Sequence, residues 1–401
     1  MIARVSRTMT KTATALLTAA KRAKANEFYT QWVDIEREIN AYLEYNPDVF
    51  RGKVLLLPCD DPEWSNFTKY FALHFTNLGL RKLISTSYAA ESKPGIEYQP
   101  TLFETDDPQF DERKTRIKGK LFSLEAKDVS GDGVVDIDDL QWSYLDGDGD
   151  FRSQEITALR DEADIVITNP PFSLWREFVG WLIDGGVNFT IIGNQNAVAY
   201  REIFRLIKNN EVWLGKGFPR NMAHFTTPYT VHSQWVEQEG EGIVRVPGVQ
   251  WFTNIEHGRR HEPLQLMTMA ENLKFNKKLI RSLGDAQKYL RYDNFDAIEV
   301  PFSDAIPSDY NGVMGVPVTW LTKYNPDQFE ILGTDESDYP PTRTYKAKRK
   351  VVDGVPQKSN TGSKGCYIRV EEFGSGTYFD VGYPVRRMYK RIFIRHRRDA
   401  S

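Results

Sequence analysis

The sequence predicts an α/β protein with a doubly wound sheet, followed by a C-terminal region of mixed α and β structure. Short runs of aliphatic and β-branched residues, such as 54–57 and 165–167, are typical of parallel strands that are covered on both faces. Stretches with helical spacing of apolar residues follow these runs. The turns directly after the runs are polar or rich in proline, and they lie where an open α/β sheet binds its ligands.

Length and composition set the first bounds. At 401 residues and 40% hydrophobic content, the chain can bury a sizeable core and is long enough for two domains. Its two cysteines, Cys59 and Cys366, form neither a disulfide framework nor a zinc site, which favours a reducing, intracellular setting. No apolar run is long enough to span a bilayer, so we do not expect the chain to be a membrane protein. The net charge of −3 does not by itself indicate a nucleic-acid partner.

The chain divides into three predicted parts. Residues 1–24 form a basic segment that we interpret as a helix leading into the first domain, with a transit peptide as the alternative. Residues 25–211 form the α/β domain, with an irregular acidic insertion at about 91–147. In residues 212–401 helical periodicity weakens and short β-like runs appear, which indicates a separate region.

A basic segment closes the third part. It can neutralise DNA phosphates, although a solvated charged face explains the same bias. Its basic and aromatic residues are Arg386, Arg387, Lys390, Arg391, Arg395, Arg397 and Arg398, with Tyr389 and Phe393.

The individual elements follow from the same patterns. The predicted parallel strands are 52–57, 82–86, 165–167 and 189–193. The predicted helices are a segment with Trp32, Ile35, Ile39 and Leu43 on one stripe, then 67–78, 174–182 and about 263–283. Ser173 is the expected N-cap of the third helix, and the Gly185-Gly186 pair ends it.

The stretch from Asp164 to Phe172 is the one on which the prediction of function depends. It runs from a buried strand into the rigid turn Asn169-Pro170-Pro171-Phe172. The two prolines fix two φ angles and remove two N–H donors, so the Asn169 amide and the nearby carbonyls are left to serve a ligand.

This turn suits methyl transfer to an exocyclic amine conjugated to a ring. The side-chain oxygen of Asn169 and the carbonyl of Pro170 can accept hydrogen bonds from an adenine N6 amine and localise its lone pair as the nitrogen becomes pyramidal. Phe172 can stack on the base. The alternative interpretation is a structural turn after a strand.

Asn169 to Phe172 resembles the fourth motif of the amino-methyltransferases, and the chain resembles the EcoRI-type family of adenine-specific DNA methyltransferases. The resemblance covers roughly Lys21 to Gly333, with a looser continuation to the C-terminus. The blocks that carry it are Asn26 to Gln31, Cys59 to Pro62, Ser65 to Phe67, Gly149 to Ser153, Asn169 to Leu174, Ile192 to Asn196, Trp251 to Asn254, Tyr292 to Ala297 and Gly312 to Pro317.

The resemblance implies a Rossmann-like sheet that uses S-adenosylmethionine, with target recognition on duplex DNA in the C-terminal region. It implies methyl transfer to N6 of a flipped-out adenine, by an enzyme in the cytoplasm of a bacterium or a phage-infected cell. The catalytic residues would be Asn169, Pro170, Pro171 and Phe172. Methylation of RNA adenine or of protein glutamine is an alternative, and a non-catalytic DNA-binding or calcium-responsive module is an alternative of another class.

The resemblance also implies three groups of cofactor-binding residues. They are Phe28, Tyr29 and Thr30, then Cys59, Asp60, Asp61 and Pro62, and finally Asp150 and Phe151 at the end of a further strand. Asp60 or Asp61 would bind the α-amino group of the cofactor, and Asp150 its adenine amine. The chain departs from most methyltransferases because it has no glycine-rich turn after the first strand. It also has no acidic residue between Ser85 and Tyr88, so the group that holds the ribose is open.

The acidic insertion contains a second candidate site. Oxygen-bearing side chains occupy five ligand positions of a calcium-loop pattern, and a glycine occupies the sixth position. These five residues are Asp128, Ser130, Asp132, Asp136 and Asp139. An acidic turn without metal explains the pattern as well, and the predicted methyl transfer requires no metal.

Overall fold

The computed structural model describes residues 29–60, 65–89, 107–131, 133–219, 222–226, 243–345, 349–357, 365–370 and 377–397. The chain forms two compact units. The first unit is Met1–Ala197 with Val212–Gly258, and the second unit is Val198–Glu211 with Arg259–Ser401. Among the described residues, no helix is long and apolar enough to cross a membrane.

The first unit contains eleven strands and six helices within its described residues. The strands are β1 (Tyr29–Thr30), β2 (Val54–Leu57), β3 (Lys82–Ser87), β4 (Lys120–Glu125), β5 (Gln141–Tyr144), β6 (Ile165–Thr168), β7 (Asn188–Asn194), β8 (Trp213–Leu214), β9 (Met222–Thr226), β10 (Ile243–Pro247) and β11 (Val249–Thr253). The helices are α1 (Trp32–Tyr45), α2 (Asn66–Leu73), α3 (Phe75–Leu78), α4 (Glu112–Ile117), α5 (Gln154–Glu162) and α6 (Trp175–Asp184).

Eight of these strands form one mixed sheet in the order β5-β4-β3-β2-β6-β7-β11-β8. The four middle strands, β3, β2, β6 and β7, are parallel, and the pairs on both sides are antiparallel. The order reverses between β2 and β6, so the chain leaves these two neighbours in opposite directions. A reversal of this kind opens a crevice at the carboxyl ends of the two strands. Strands β1, β9 and β10 form a separate antiparallel sheet.

The middle strands are buried because their sequences are apolar. All four residues of β2 and all four of β6 are buried, as expected for strands covered on both faces. Asp164 joins the start of β6 to the start of β2, since its carboxylate accepts a hydrogen bond from the Val54 amide at 2.8 Å. The Lys53 ammonium donates to the same carboxylate at 3.3 Å.

The four predicted parallel strands are confirmed, but the strand that was expected to end at 150–151 is not. Residues 145–153 contain no strand, and the preceding strand, β5, is antiparallel. The physical reason is that the chain at Gly149 passes very close to the end of β3. Gly149 has a φ of +87°, and a Cβ at this position would collide with the carbonyl oxygen of Ser87. Asp150 therefore approaches the end of β3 from a turn.

Two predicted helices are interrupted, and a third begins later than expected. His74 separates α2 from α3, within the predicted helix 67–78. The predicted helix 263–283 is two shorter helices, Met269–Phe275 and Lys277–Leu283. Ser173 is not the N-cap of α6: this helix is preceded by Leu174, whose side chain makes no capping hydrogen bond.

The structure groups residues 212–258 with the first unit, whereas the sequence placed the start of the third part at 212. Strand β11 pairs with β7 and extends the large sheet, and β8 pairs with β11. Strand β9 pairs with β1 and β10. These pairings connect residues far apart in the chain, and local sequence patterns do not reveal them.

The second unit contains nine strands and three helices within its described residues. Its helices are α7 (Arg201–Lys208), α8 (Met269–Phe275) and α9 (Lys277–Leu283). Its strands are β12 (Ile298–Glu299), β13 (Met314–Pro317), β14 (Phe329–Thr334), β15 (Arg349–Val352), β16 (Val355–Gln357), β17 (Tyr367–Arg369), β18 (Thr377–Asp380), β19 (Pro384–Arg387) and β20 (Arg391–His396). They form one sheet in the order β12-β13-β20-β14 and another in the order β16-β15-β18-β19-β17.

The basic segment near the C-terminus is part of these sheets. Strand β20 lies between β13 and β14, and Phe393 is fully buried. Arg391 is buried and pairs with Glu299 at 2.6 Å, while Arg395 and Lys390 pair with acidic side chains at 2.7 and 2.9 Å. Much of the segment 386–397 therefore lies in sheet strands, its contact with DNA phosphates stays a prediction, and Arg398 lies outside the described residues.

The buried Arg391–Glu299 pair should be far more important for stability than the exposed Arg395–Glu330 pair. Glu299→Gln leaves a buried guanidinium without its charged partner, and we expect the free energy of unfolding to fall by about 3–5 kcal/mol. Glu330→Gln is the matched control. Its pair is 46% and 42% exposed, so we expect a change below about 1 kcal/mol. Urea denaturation of both variants measures the difference, and equal losses would contradict the assignment.

Candidate active site

The Asn169-Pro-Pro-Phe172 turn connects β6 to α6 at the crevice where the strand order reverses. The side-chain oxygen of Asn169 is buried. The carbonyl of Pro171 accepts a hydrogen bond from the Leu174 amide at 3.0 Å, which closes the turn. Within the described part of the chain, no donor hydrogen-bonds the carbonyl of Pro170. Two oxygen acceptors that follow one another in sequence are thus placed at the end of β6.

Trp175 fixes the far end of this turn. It is the first residue of α6, and its indole N–H donates to the Ile192 carbonyl of β7 at 2.9 Å. Its ring contacts Phe252 edge-on, with the ring centroids 4.8 Å apart. Gly193 leaves room for the indole, because a Cβ at this position would lie 2.5 Å from the ring. Helix α6 is therefore held against β7.

Phe172 lies at the edge of the hydrophobic core. It is partly buried and packs against the buried cluster of the first unit, which includes Ile167 and Ile192. Its exposure is intermediate, so it lies at the boundary between this core and the solvent.

Asp60 follows β2 and is 4% exposed. Its hydrogen bonds connect the end of β2 with the start of α2 and the end of β6. The Ser65 hydroxyl donates to one carboxylate oxygen at 2.6 Å, and the Thr168 hydroxyl donates to the other at 2.6 Å. Ser65 is the N-cap of α2, where its oxygen accepts from the Phe67 amide. Thr168 is the last residue of β6, directly before Asn169. The turn after β2 is thereby joined to the start of α2 and to the candidate catalytic turn.

The backbone of Asp60 is held by β3. Its amide donates to the Thr86 carbonyl at 3.0 Å. Its carbonyl accepts from the hydroxyls of Thr68 and Ser85, which also contact each other at 2.9 Å. The candidate cofactor turn is therefore connected to both strands that flank β2.

Cys59 lies between Pro58 and Asp60, and its exposure is intermediate. Desolvation of the thiol raises its pKa well above the usual range, and the nearby carboxylates of Asp60 and Asp150 raise the pKa further. The thiol is therefore neutral at physiological pH, which argues against a cysteine nucleophile in this site.

Asp150 lies beside the end of β3. The Ala89 amide donates to the Asp148 carbonyl at 2.8 Å, which holds the 148–150 segment against the residues after β3. Hydrogen bonds from the Arg152 guanidinium, as short as 2.6 Å, lower the pKa of Asp150. The side chain of Asp150 therefore stays ionised at neutral pH.

Phe151 is part of the hydrophobic core. It is fully buried, and its ring packs edge-on against Phe178 and Trp181 with centroids 4.9 and 5.7 Å away. Its packing on α6 fixes the position of Asp150 next to it.

The predicted N-terminal cofactor motif lies at the edge of the same region. Tyr29 and Thr30 form β1, and the Asn66 side chain at the start of α2 donates to the Thr30 carbonyl at 2.8 Å. Phe28, Asp61 and Pro62 lie outside the described residues. The structure thus brings Thr30, Asp60 and Asn169 to elements that contact one another.

Buried polar atoms around this edge fit a polar cofactor. The hydroxyls of Thr30 and Thr86 and the side-chain nitrogen of Gln195 are buried, and none has a hydrogen-bond partner among the described residues. Thr86 is near the end of β3, and Gln195 directly follows β7. A ligand with hydroxyl, amine and carboxylate groups can satisfy such atoms, so the residues present fit S-adenosylmethionine.

Several of these residues were not predicted from the sequence. Ser65 and Gln195 lie within the blocks that carry the family resemblance, so a signal for them existed. Thr168 and Thr86 gave no such signal, because a threonine at the end of a strand is common and its partner is distant in sequence.

The described part of the acidic loop does not support calcium. Both oxygens of Asp139 accept backbone hydrogen bonds, from Val129 and Ser130 on one side and from Asp136 on the other. These bonds, above all that from Ser130, lower the pKa of Asp139. Among the described residues no three His, Cys, Asp or Glu side chains converge on a metal position, and Asp132 lies outside those residues.

Comparison with known proteins gives consistent matches over most of the chain. The family model described as adenine-specific methyltransferase EcoRI matches residues 16–397. The Type II methyltransferase M.EcoRI of Escherichia coli is 40% identical over 332 residues, which are 80% of this chain and 91% of that protein. The Type II methyltransferase M.MpnI of Mycoplasma pneumoniae is 33% identical over 356 residues, which are 88% of this chain and 95% of that protein. No solved structure matches the chain significantly.

The close contact of Gly193 with Trp175 predicts a sharp difference between two glycines. Gly193→Ala places a methyl group against the indole ring, and we expect a loss of about 1–3 kcal/mol in the free energy of unfolding. Gly180 is the control. It is exposed within α6 and a Cβ there meets nothing within 4 Å, so Gly180→Ala should stabilise the protein by up to about 1 kcal/mol. Thermal unfolding distinguishes the two, and changes of equal sign would be inconsistent with this packing.

Proposed function

The chain belongs to the EcoRI family of adenine-specific methyltransferases, and from this membership we propose how its residues methylate DNA. The protein is a site-specific DNA adenine methyltransferase. The observation that carries the assignment of the site is the Asn169-Pro-Pro-Phe172 turn, which leaves β6 at the reversal of the strand order beside the Asp60 turn. The same strand order supports a doubly wound, Rossmann-like arrangement of the parallel strands.

The family implies S-adenosylmethionine, which supplies an electrophilic methyl group when it is bound. We propose that Thr30, the turn 59–62 and Asp150 hold this cofactor, together with Phe28, Tyr29 and Phe151. The lowered pKa of Asp150 keeps its carboxylate charged, so that it can accept a hydrogen bond from an adenine amine. Because Phe151 is buried in the core, its contribution is to position Asp150.

The target adenine must leave the duplex, since its N6 amine is otherwise paired within the stack. Asn169 and the carbonyl of Pro170 accept the two hydrogens of that amine. These acceptors gain strength as the nitrogen lone pair localises in the transition state, so they lower the barrier more than they stabilise the bound base. Phe172 holds the extruded base by stacking on its face, and Pro171 keeps the turn rigid.

Duplex DNA is the substrate favoured over RNA adenine or protein glutamine. The relatives are named Type II methyltransferases, and the family description is adenine-specific. They come from bacteria, which supports a role in a bacterial restriction–modification system in the cytoplasm. We assign target recognition to residues 212–401, because a mixed β scaffold can present polar side chains to base edges.

Asn169→Ala should lower the rate of methyl transfer by about two to three orders of magnitude, comparable to removing one oxyanion-hole donor. Cofactor and DNA binding should change much less, because the acceptor acts mainly in the transition state. Single-turnover methylation of duplex DNA measures the rate. The control is Asn209→Ala, which removes an exposed amide paired with Glu211.

Substitutions at Phe172 should behave differently from Asn169→Ala. A stacked base is worth about 1–3 kcal/mol, so Phe172→Ala should impair base extrusion, whereas Phe172→Trp should retain more activity. A fluorescent base analogue at the target position reports extrusion. A parental methylation rate in Asn169→Ala would remove this turn from the active site.

Asp150→Ala should weaken S-adenosylmethionine binding by roughly 1–3 kcal/mol, the range for leaving a buried partner unsatisfied. Because the pKa of Asp150 is lowered, the affinity should be constant near neutral pH and should fall once the pH drops through that pKa. Calorimetry measures both effects. The control is Asp161→Ala, which removes another carboxylate paired with an arginine at 2.6 Å. Unchanged affinity in folded Asp150→Ala would exclude this residue from the site.

A further inference from the structure

We propose that Asp60 is a positioning residue for methyl transfer, which acts through Thr168 to fix Asn169. This inference rests on the proposed function of the Asn169 turn. It assigns to Asp60 a role in positioning the catalytic turn.

Two buried hydroxyls contact the carboxylate of Asp60 at short distances. The hydrogen bonds from Ser65 and Thr168 are each 2.6 Å long, within the range of charge-assisted O–H···O⁻ bonds. The carboxylate is 4% exposed, and the two hydroxyl-bearing residues that it contacts, Ser65 and Thr168, are 1% and 0% exposed. A hydrogen bond between such buried groups is costly to break, because neither group finds water in its place.

Thr168 connects the Asp60 hydrogen bond to Asn169, the residue that contacts the reacting amine in the proposed function. Its side chain is held by Asp60, and its backbone is paired with Ile191 in β7. The next residue, Asn169, precedes Pro170, and a residue before proline is restricted to extended conformations. The backbone of Asn169 is thus restrained by Thr168 on one side and by Pro170 on the other.

The same contacts connect the cofactor turn with the catalytic turn. Asp60 is fixed to β3 through its amide and carbonyl, and to α2 through Ser65. A carboxylate that accepts from the end of β6 therefore sets the distance between the two turns across the β2–β6 crevice. Transfer of a group between two bound molecules is sensitive to such distances, and a displacement of about 1 Å can cost a factor of about 100 in rate.

The test compares three substitutions at the Asp60–Thr168 bond. Thr168→Val keeps the shape of the side chain and removes the hydroxyl, and we expect the single-turnover rate to fall by about 10- to 100-fold at saturating cofactor and DNA. Thr168→Ser keeps the hydroxyl and should restore most of the rate. Asp60→Asn should lower the rate to a similar degree, which keeps the proposal testable if Thr168→Val does not fold. The dissociation constant of S-adenosylmethionine should change by less than about threefold in the two Thr168 variants.

Thr190→Val is the matched control for a purely structural effect. Thr190 is a fully buried threonine of the neighbouring strand β7, and its hydroxyl contacts the Tyr42 hydroxyl at 2.9 Å, within the core of the first unit. This substitution should lower the melting temperature as Thr168→Val does, while the methylation rate remains parental. A lower rate in Thr168→Val without a lower rate in Thr190→Val supports positioning.

A double-mutant cycle tests whether Asp60 acts through Thr168. If the two residues act through one bond, Asp60→Asn combined with Thr168→Val should be no slower than the slower single variant. Multiplication of the two effects would overturn the proposed route. A parental rate in Thr168→Val, with Asn169→Ala strongly impaired, would refute the positioning role and leave the proposed function intact. A parental rate in Asn169→Ala would instead refute the proposed function itself.

Discussion

The pairing of β2 with β6 is the constraint on which the candidate site depends. A carboxylate joins the two strands at each end: Asp164 accepts from the Val54 amide where they begin, and Asp60 accepts from the Thr168 hydroxyl where they end. The strands are short and fully buried, so neither can shift along the other without breaking both contacts. The candidate catalytic turn follows β6 directly, so its position is fixed by this register. A crevice between two rigid turns can orient a methyl donor and a methyl acceptor.

The parallel part of the sheet and the turn after β6 were predictable because their signals are local. Strands β2 and β6 carry uninterrupted aliphatic or β-branched runs, β3 and β7 carry shorter aliphatic pairs, and the prolines after β6 forbid continuation of the strand. Helix boundaries were less predictable, since side chains decide them. The side-chain oxygen of Asn276 accepts a hydrogen bond from the Leu279 amide. This cap starts α9 within an otherwise continuous helical pattern. The end of α2 at His74 has no equally clear signal in the sequence.

Contacts between distant segments account for what the sequence did not predict. Asp150 was expected at the end of a strand, and it lies beside the end of β3 in a turn that Gly149 permits. Within the basic segment, Arg391 forms a buried ion pair with a residue 92 positions earlier. The Asp60–Thr168 bond spans 108 positions. Charge and hydroxyl groups do not indicate their partners until the fold brings them together.

The position of β20 has a consequence for synthesis of the protein. Strand β20, residues 391–396, completes the four-stranded sheet β12-β13-β20-β14 of the second unit. It lies between β13 and β14, which emerge from the ribosome much earlier. The first unit is complete at Gly258, so 138 residues separate the two events (396 minus 258). At about 5–20 residues per second, this interval lasts roughly 7–28 s. During that time the nascent chain carries a foldable first unit and an unpaired sheet edge, so the second unit is the part most exposed to chaperones and to aggregation.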